Sequence, residues 1–112
     1  MADQTLEPIG TEKVLADIHT KRRRQVVIHG HGRGHDDAHD RGELAQAAIP
    51  YIQAALWQEL GLTTDEELLV FWPWTSEPPN LKQDRRELLV NAAALLVAEI
   101  ERIDRAVVPP PG

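Results

Sequence analysis

Between His35 and Glu43 the chain places two histidines, three aspartates and a glutamate within nine residues, His35-Asp36-Asp37-Ala38-His39-Asp40-Arg41-Gly42-Glu43. Imidazoles and carboxylates at this density offer three kinds of chemistry. His35 and His39 are four apart, so on a helix they share a face and could share a metal. Asp36, Asp37 and Asp40 add hard oxygen ligands of the kind magnesium or manganese takes. The same groups can hold a polar ligand by hydrogen bonds with no metal at all. The third role is structural: an aspartate caps the free backbone amides of the helix that follows. Just upstream, Gly30-His31-Gly32-Arg33-Gly34 lets backbone approach a ligand closely, because glycine has no side chain.

Two further groups carry chemistry. Lys21-Arg22-Arg23-Arg24 is a basic run at the end of a helical stretch. Successive residues point all round a helix, so the run is read as a solvated helix end suited to the C-terminal dipole. Arg24 is the arginine set aside as a phosphate contact. Trp72-Pro73-Trp74 holds two large rings on a stiffened turn, and with Tyr51, Trp57 and Phe71 it completes the aromatic inventory. Such rings either close a core or stack on a flat base. The expectation is a split, with one tryptophan structural and Trp74 against a ligand. The candidate ligand-binding set is therefore Arg24, His31, His35, Asp36, Asp37, His39, Glu43 and Trp74, with no metal and no assigned catalytic residue. Ser76 is the only serine and has no His-Asp partner near it in sequence, so nucleophilic catalysis finds no support.

A second carboxylate pattern joins Asp40-x-x-Glu43 to Glu101-x-x-Asp104. Carboxylates three apart share a helix face, and two facing pairs can hold magnesium against a triphosphate. The all-α nucleoside triphosphate pyrophosphatases work this way, with Glu-x-x-Glu and Glu-x-x-Asp. Here the first pair begins with Asp and Glu101 adjoins arginines, so pairing with Arg102 and Arg105 is the expected role.

Positioning these groups falls to 112 residues, enough for one domain with a modest core. With 42% hydrophobic and 27% charged residues the composition is that of a globular protein. A net charge of −6 argues against general nucleic-acid binding, which needs clustered positive charge. Cysteine is absent, removing disulfides and thiolate sites. No apolar run reaches the roughly 20 residues of a membrane span, and the acidic start is unlike a secretory signal, so the expected setting is cytoplasmic.

The pattern predicts an all-α fold: a small bundle of three principal helices plus a short helix, with a Gly/His-rich loop, as one domain over 1–112. Residues 1–10 read as a loose lead-in and 108–112 as a Pro-rich tail. The first helix runs from an N-cap at Thr11 to about Ile28, with Val14, Ile18, Lys21 and Gln25 on one face. The second follows an Asp40/Glu43 capping box, kinks or restarts near Pro50, and stops at Gly61-Leu62. Thr64 with Glu67 opens a short helix to Val70, although Leu68 to Phe71 could instead form a strand. Asn80 with Gln83 caps the last helix, Leu81 to about Val107. Its stripe of Leu88, Leu89, Ala92, Leu95, Leu96, Ile100, Ile103 and Val107 offers more apolar face than two neighbours cover. A homodimer pairing this helix is expected.

Arg22 to Gln25, His35 to Tyr51, Trp72 to Trp74 and Ala94 to Arg105 together make a combination that resembles a family of small phage and prophage proteins. Its marks here are His-Asp-Asp-x-His-x-x-Gly-Glu-Leu-Ala, Trp-Pro-Trp and Ala-Glu-Ile-Glu-Arg, in segments spread from Arg22 to Arg105. Related segments occur in longer phage proteins labelled nucleotide diphosphohydrolases. Where the family carries Gly-Trp before the His-Asp-Asp element, this chain has Gly30-His31, an imidazole in place of an indole. The resemblance implies a phage-type protein acting in the host cytoplasm. Combined with the polar and aromatic inventory, it leads to an expected function of binding and sequestering a small nucleotide-like molecule, a host defence signal. Two alternatives stay open. One is a magnesium-dependent nucleotide pyrophosphohydrolase using Asp36, Asp37, Glu43 and either Glu99 or Asp104. The other is an inhibitor of a host protein that presents its arginines and Trp-Pro-Trp turn.

Overall fold

The computed structural model describes residues 10–27, 38, 40–61, 69–74 and 78–107. Helix α1 is Thr11–Val27, α2 is Glu43–Leu60 and α3 is Arg85–Val107, with one 3₁₀ turn at Leu69–Phe71. No strand occurs among the described residues, and the protein is a small all-α bundle. The strand alternative fails over Leu69–Phe71, where Trp72 N–H closes the turn onto the Leu69 carbonyl at 3.1 Å. Thr64 and Glu67 lie outside the described residues.

Each helix start differs from the pattern expected of the sequence, for a local reason. Gly10, with φ 118°, takes the flanking position before α1, and its carbonyl accepts from Val14 N–H at 2.8 Å. Thr11 is already helical. Before α2 the chain turns sharply at Gly42, φ 84°, a left-handed conformation that glycine alone adopts cheaply. Gly42, not Asp40, therefore holds the cap position, and its carbonyl accepts from Gln46 N–H at 2.8 Å. Half of the expected box survives in shifted form: Glu43 Oε1 reaches back to Arg41 N–H at 2.6 Å. At α3 the cap is Asp84, whose Oδ1 accepts from Glu87 N–H at 2.8 Å. Asn80 instead closes its own turn, accepting from Lys82 N–H at 3.2 Å and from Gln83 Nε2 at 2.7 Å. Both Asn80-x-x-Gln83 and Asp84-x-x-Glu87 have box spacing. The carboxylate at the later site suits the dipole better.

α2 runs as one helix through Pro50, so of the kink or restart expected there the restart does not occur. The proline ring is fully buried, so its packing offsets the lost amide donor. Gly61 ends the helix as expected, at φ 74°, with its N–H on the Gln58 and Trp57 carbonyls.

α3 is the helix both others share. Its seam with α2 is apolar and rich in small residues: Leu44, Ala47, Ala48, Ala92, Leu95 and Ala98 form one cluster, and Ala54, Ala55 and Leu88 a second. Alanines at these positions let the two axes approach closely. The seam with α1 is ionic. Asp17 meets Arg86 at 2.7 Å, Lys21 meets Glu87 at 3.6 Å, and Arg22 meets Glu101 at 3.0 Å. Val14 and Leu15 stay exposed, while Ile18 and Lys21 are half-buried, so α1 attaches by charge more than by an apolar face. Arg22 is buried, which corrects the reading of the basic run as a wholly solvated helix end. The apolar stripe expected on α3 is divided. Leu88, Ala92 and Leu95 are buried, but Leu89, Leu96, Ile100 and Ile103 are exposed.

Candidate functional site

The 3₁₀ turn brings the chain against α2, and Pro73 then limits how Trp72 and Trp74 can be oriented. Both rings are half-buried on the cluster formed by the first half of α2 and the middle of α3, beside Tyr51. Tyr51 and Trp72 meet edge to face at 6.0 Å and 78°, and Trp72 and Trp74 at 5.1 Å and 89°. Trp72 is thus the middle ring of three. Burial raises the Tyr51 phenol above its ordinary pKa, against a smaller opposing pull from a backbone hydrogen bond with Asn80. The hydroxyl stays protonated at neutral pH, able to donate as well as accept.

Charge is buried as well. Arg22 and Glu99 are the buried charged residues among those described. Glu99 accepts from Arg102 Nε, one turn along α3, and both side chains are largely covered. Glu99 is one turn from Leu95 and adjoins Ala98, which both pack on the start of α2. Arg22 reaches Glu101 across the α1–α3 seam. A charge buried this well holds its place by being paired.

Of the sequence-derived candidates, Trp74 packs half-buried on the cluster that includes Leu44, and Glu43 opens α2 as the chain neighbour of Leu44. Arg24 is exposed on the last turn of α1, two residues beyond the buried Arg22. His31, His35, Asp36, Asp37 and His39 lie outside the described residues. Asp40 is exposed in the turn before α2.

The carboxylates proposed for magnesium fare differently. Glu99 is committed to Arg102, and Asp104 is exposed. Glu101 pairs with Arg22 of α1 at 3.0 Å, which corrects the expectation that it would pair with Arg102 and Arg105 of its own helix. Among the described residues no group of three or more metal-ligating side chains comes together.

Sequence reasoning missed the Arg22–Glu101 pair and the place of Tyr51 in the ring cluster. Glu99-x-x-Arg102 has readable spacing, but nothing local announces a pair between residues 22 and 101. No protein-family model, curated protein or solved structure matches the chain.

Proposed function

We propose that the chain is a phage-type protein that binds a small nucleotide-like molecule and sequesters it, withdrawing a defence signal in the host cytoplasm. The observation that carries this reading is the convergence at one end of the bundle. A half-buried tryptophan pair packs on the cluster that includes Leu44 of α2, the helix into which the His/Asp-rich segment leads, and the largely covered Glu99–Arg102 pair adjoins the cluster residue Ala98. Each residue type has a task in holding a nucleotide. Trp74 offers a face to a base, as aromatic rings do in single-strand binders. Arg24 takes a phosphate. His31, His35, Asp36, Asp37, His39 and Glu43 meet sugar hydroxyls and base edges. No metal and no catalytic group enters this reading, and the ligand leaves as it came. The protein acts as a homodimer, without general nucleic-acid or membrane binding. No described helix is long and apolar enough to cross a bilayer.

Thermal melting against a nucleotide panel that includes cyclic and ADP-ribose types, with and without magnesium, tests this directly. A ligand should raise the melting temperature without magnesium and be recovered intact. Release of phosphate or pyrophosphate only with magnesium would establish the pyrophosphohydrolase instead. A host protein that co-purifies in the absence of any nucleotide response would establish an inhibitor.

A further inference from the structure

α3 has three faces, and among the described residues only two are covered. Glu87 and Glu101 look toward α1, while Leu88, Ala92 and Leu95 look toward α2. The third carries Leu89, Ala93, Leu96, Ile100 and Ile103, in alternating steps of four and three residues. This is the spacing of a coiled-coil seam, and it keeps one line facing a partner helix over many turns. The four large side chains are 42%, 39%, 58% and 46% exposed in chain order, too much for a face that stays in water. The exposed Ile52, Leu56 and Leu60 of α2 recur only in fours and drift round the helix, so they make no comparable line.

We propose that this face binds the same face of a second copy, with the two α3 helices antiparallel. Charge selects the orientation. Arg86 and Asp104 lie on the same flank of the stripe, about five turns apart, one at each end. Arg86 holds Asp17 at 2.7 Å yet keeps half its side chain exposed, and Asp104 is exposed. Antiparallel pairing sets Leu89 against the second copy's Ile100 and Ala93 against its Leu96. The same register brings Arg86 within one residue, about 1.5 Å, of level with the second copy's Asp104 twice, once at each end. Parallel pairing would bring arginine to arginine and aspartate to aspartate. Like charges at those ends oppose it, as they do in coiled-coil partner choice.

This inference deepens the homodimer part of the proposed function and is independent of the nucleotide part. Light scattering on the full chain at tens of micromolar should give the mass of a dimer, and Ile100→Glu should raise the dissociation constant about tenfold or more while helicity is kept. A monomeric mass overturns the homodimer and this face together, and a dimer untouched by Ile100→Glu overturns the face alone. Orientation is read by oxidation, because the chain has no cysteine of its own. A mixture of Leu89→Cys and Ile100→Cys copies should form a mixed disulfide, whereas Leu89→Cys alone should not cross-link. Efficient cross-linking of Leu89→Cys with itself would mean parallel helices and would refute the antiparallel arrangement. Arg86→Asp and Asp104→Arg should each weaken the dimer, and the double variant should restore it. Failure of that restoration in a folded protein likewise counts against it.

Discussion

The two ends of the α2–α3 seam are built from different materials. At the end formed by the close of α2 and the start of α3, Ala54, Ala55 and Leu88 are sealed by Trp57, Leu81 and Tyr51. The groups around it are turn and cap devices: Gly61, Asp84, and Gln58 donating to the Gln83 carbonyl at 2.7 Å. At the opposite end a cluster of similar small residues is bordered by two tryptophans and a buried glutamate–arginine pair. Packing alone explains the first end. The second holds costly groups that a core of this size does not require, since an apolar replacement for a buried ion pair is often as stable. The proposed ligand site rests on that excess.

The largest effect belongs to the closed end. Leu88 is fully buried, so Leu88→Ala should lower unfolding free energy by about 2–5 kcal/mol in a urea titration. It should leave ligand affinity unchanged wherever the protein is still folded. A loss of binding with little loss of stability would erase the distinction between the two ends. Next in size, Trp74→Ala should keep the fold and weaken ligand binding by about 1–3 kcal/mol, the range for one base–aromatic stack. Trp72→Ala should show its main effect in the melting temperature, because Trp72 touches both other rings. Equal stability losses from both changes, with binding intact, would make this end as purely structural as the other.

Smaller effects sharpen the comparison. Asp84→Ala should cost about 1 kcal/mol and Asp84→Asn much less, because Asn caps nearly as well. The same exchange at Asp40, which does not cap, should cost little in either form.

Last comes pH at the ionic seam. Hydrogen bonds from Lys13 and then Arg86 hold the Asp17 carboxyl below its ordinary 3.8. A depressed value means the contribution is present above the unfolded pKa and is lost as pH falls through the folded one. Below about pH 4, amide exchange in α1 should therefore rise relative to α2, and strong salt should act in the same direction. Equal rises in both helices would mean that α1 is not held by charge.

Much of the fold was legible because helical periodicity is local. The three helices, the Gly61 stop and the apolar face of α3 follow from residues within a few turns of one another. The starts were harder, since Asn80-x-x-Gln83 and Asp84-x-x-Glu87 are both valid caps four residues apart. Gly42 prevailed over Asp40 through a backbone conformation that carries no side-chain signature. At the candidate site, Trp74 and Tyr51 were readable as residue types, and the packing of Trp74 and Tyr51 on the cluster between α2 and α3 was not. Arg22 looked like one of four solvated cations. Its burial depends on Glu101, a partner 79 residues away that only the packing of α1 on α3 supplies.

Titration calorimetry of the wild type, Trp74→Phe and Trp74→Ala with the nucleotide that most raises the melting temperature, in the absence of magnesium, tests the central claim most directly. The wild type and Trp74→Phe should bind with similar affinity, Trp74→Ala should bind at least about tenfold more weakly with its melt unchanged, and the nucleotide should be recovered whole. A panel in which no nucleotide binds, or a folded Trp74→Ala that binds as the wild type does, would contradict it.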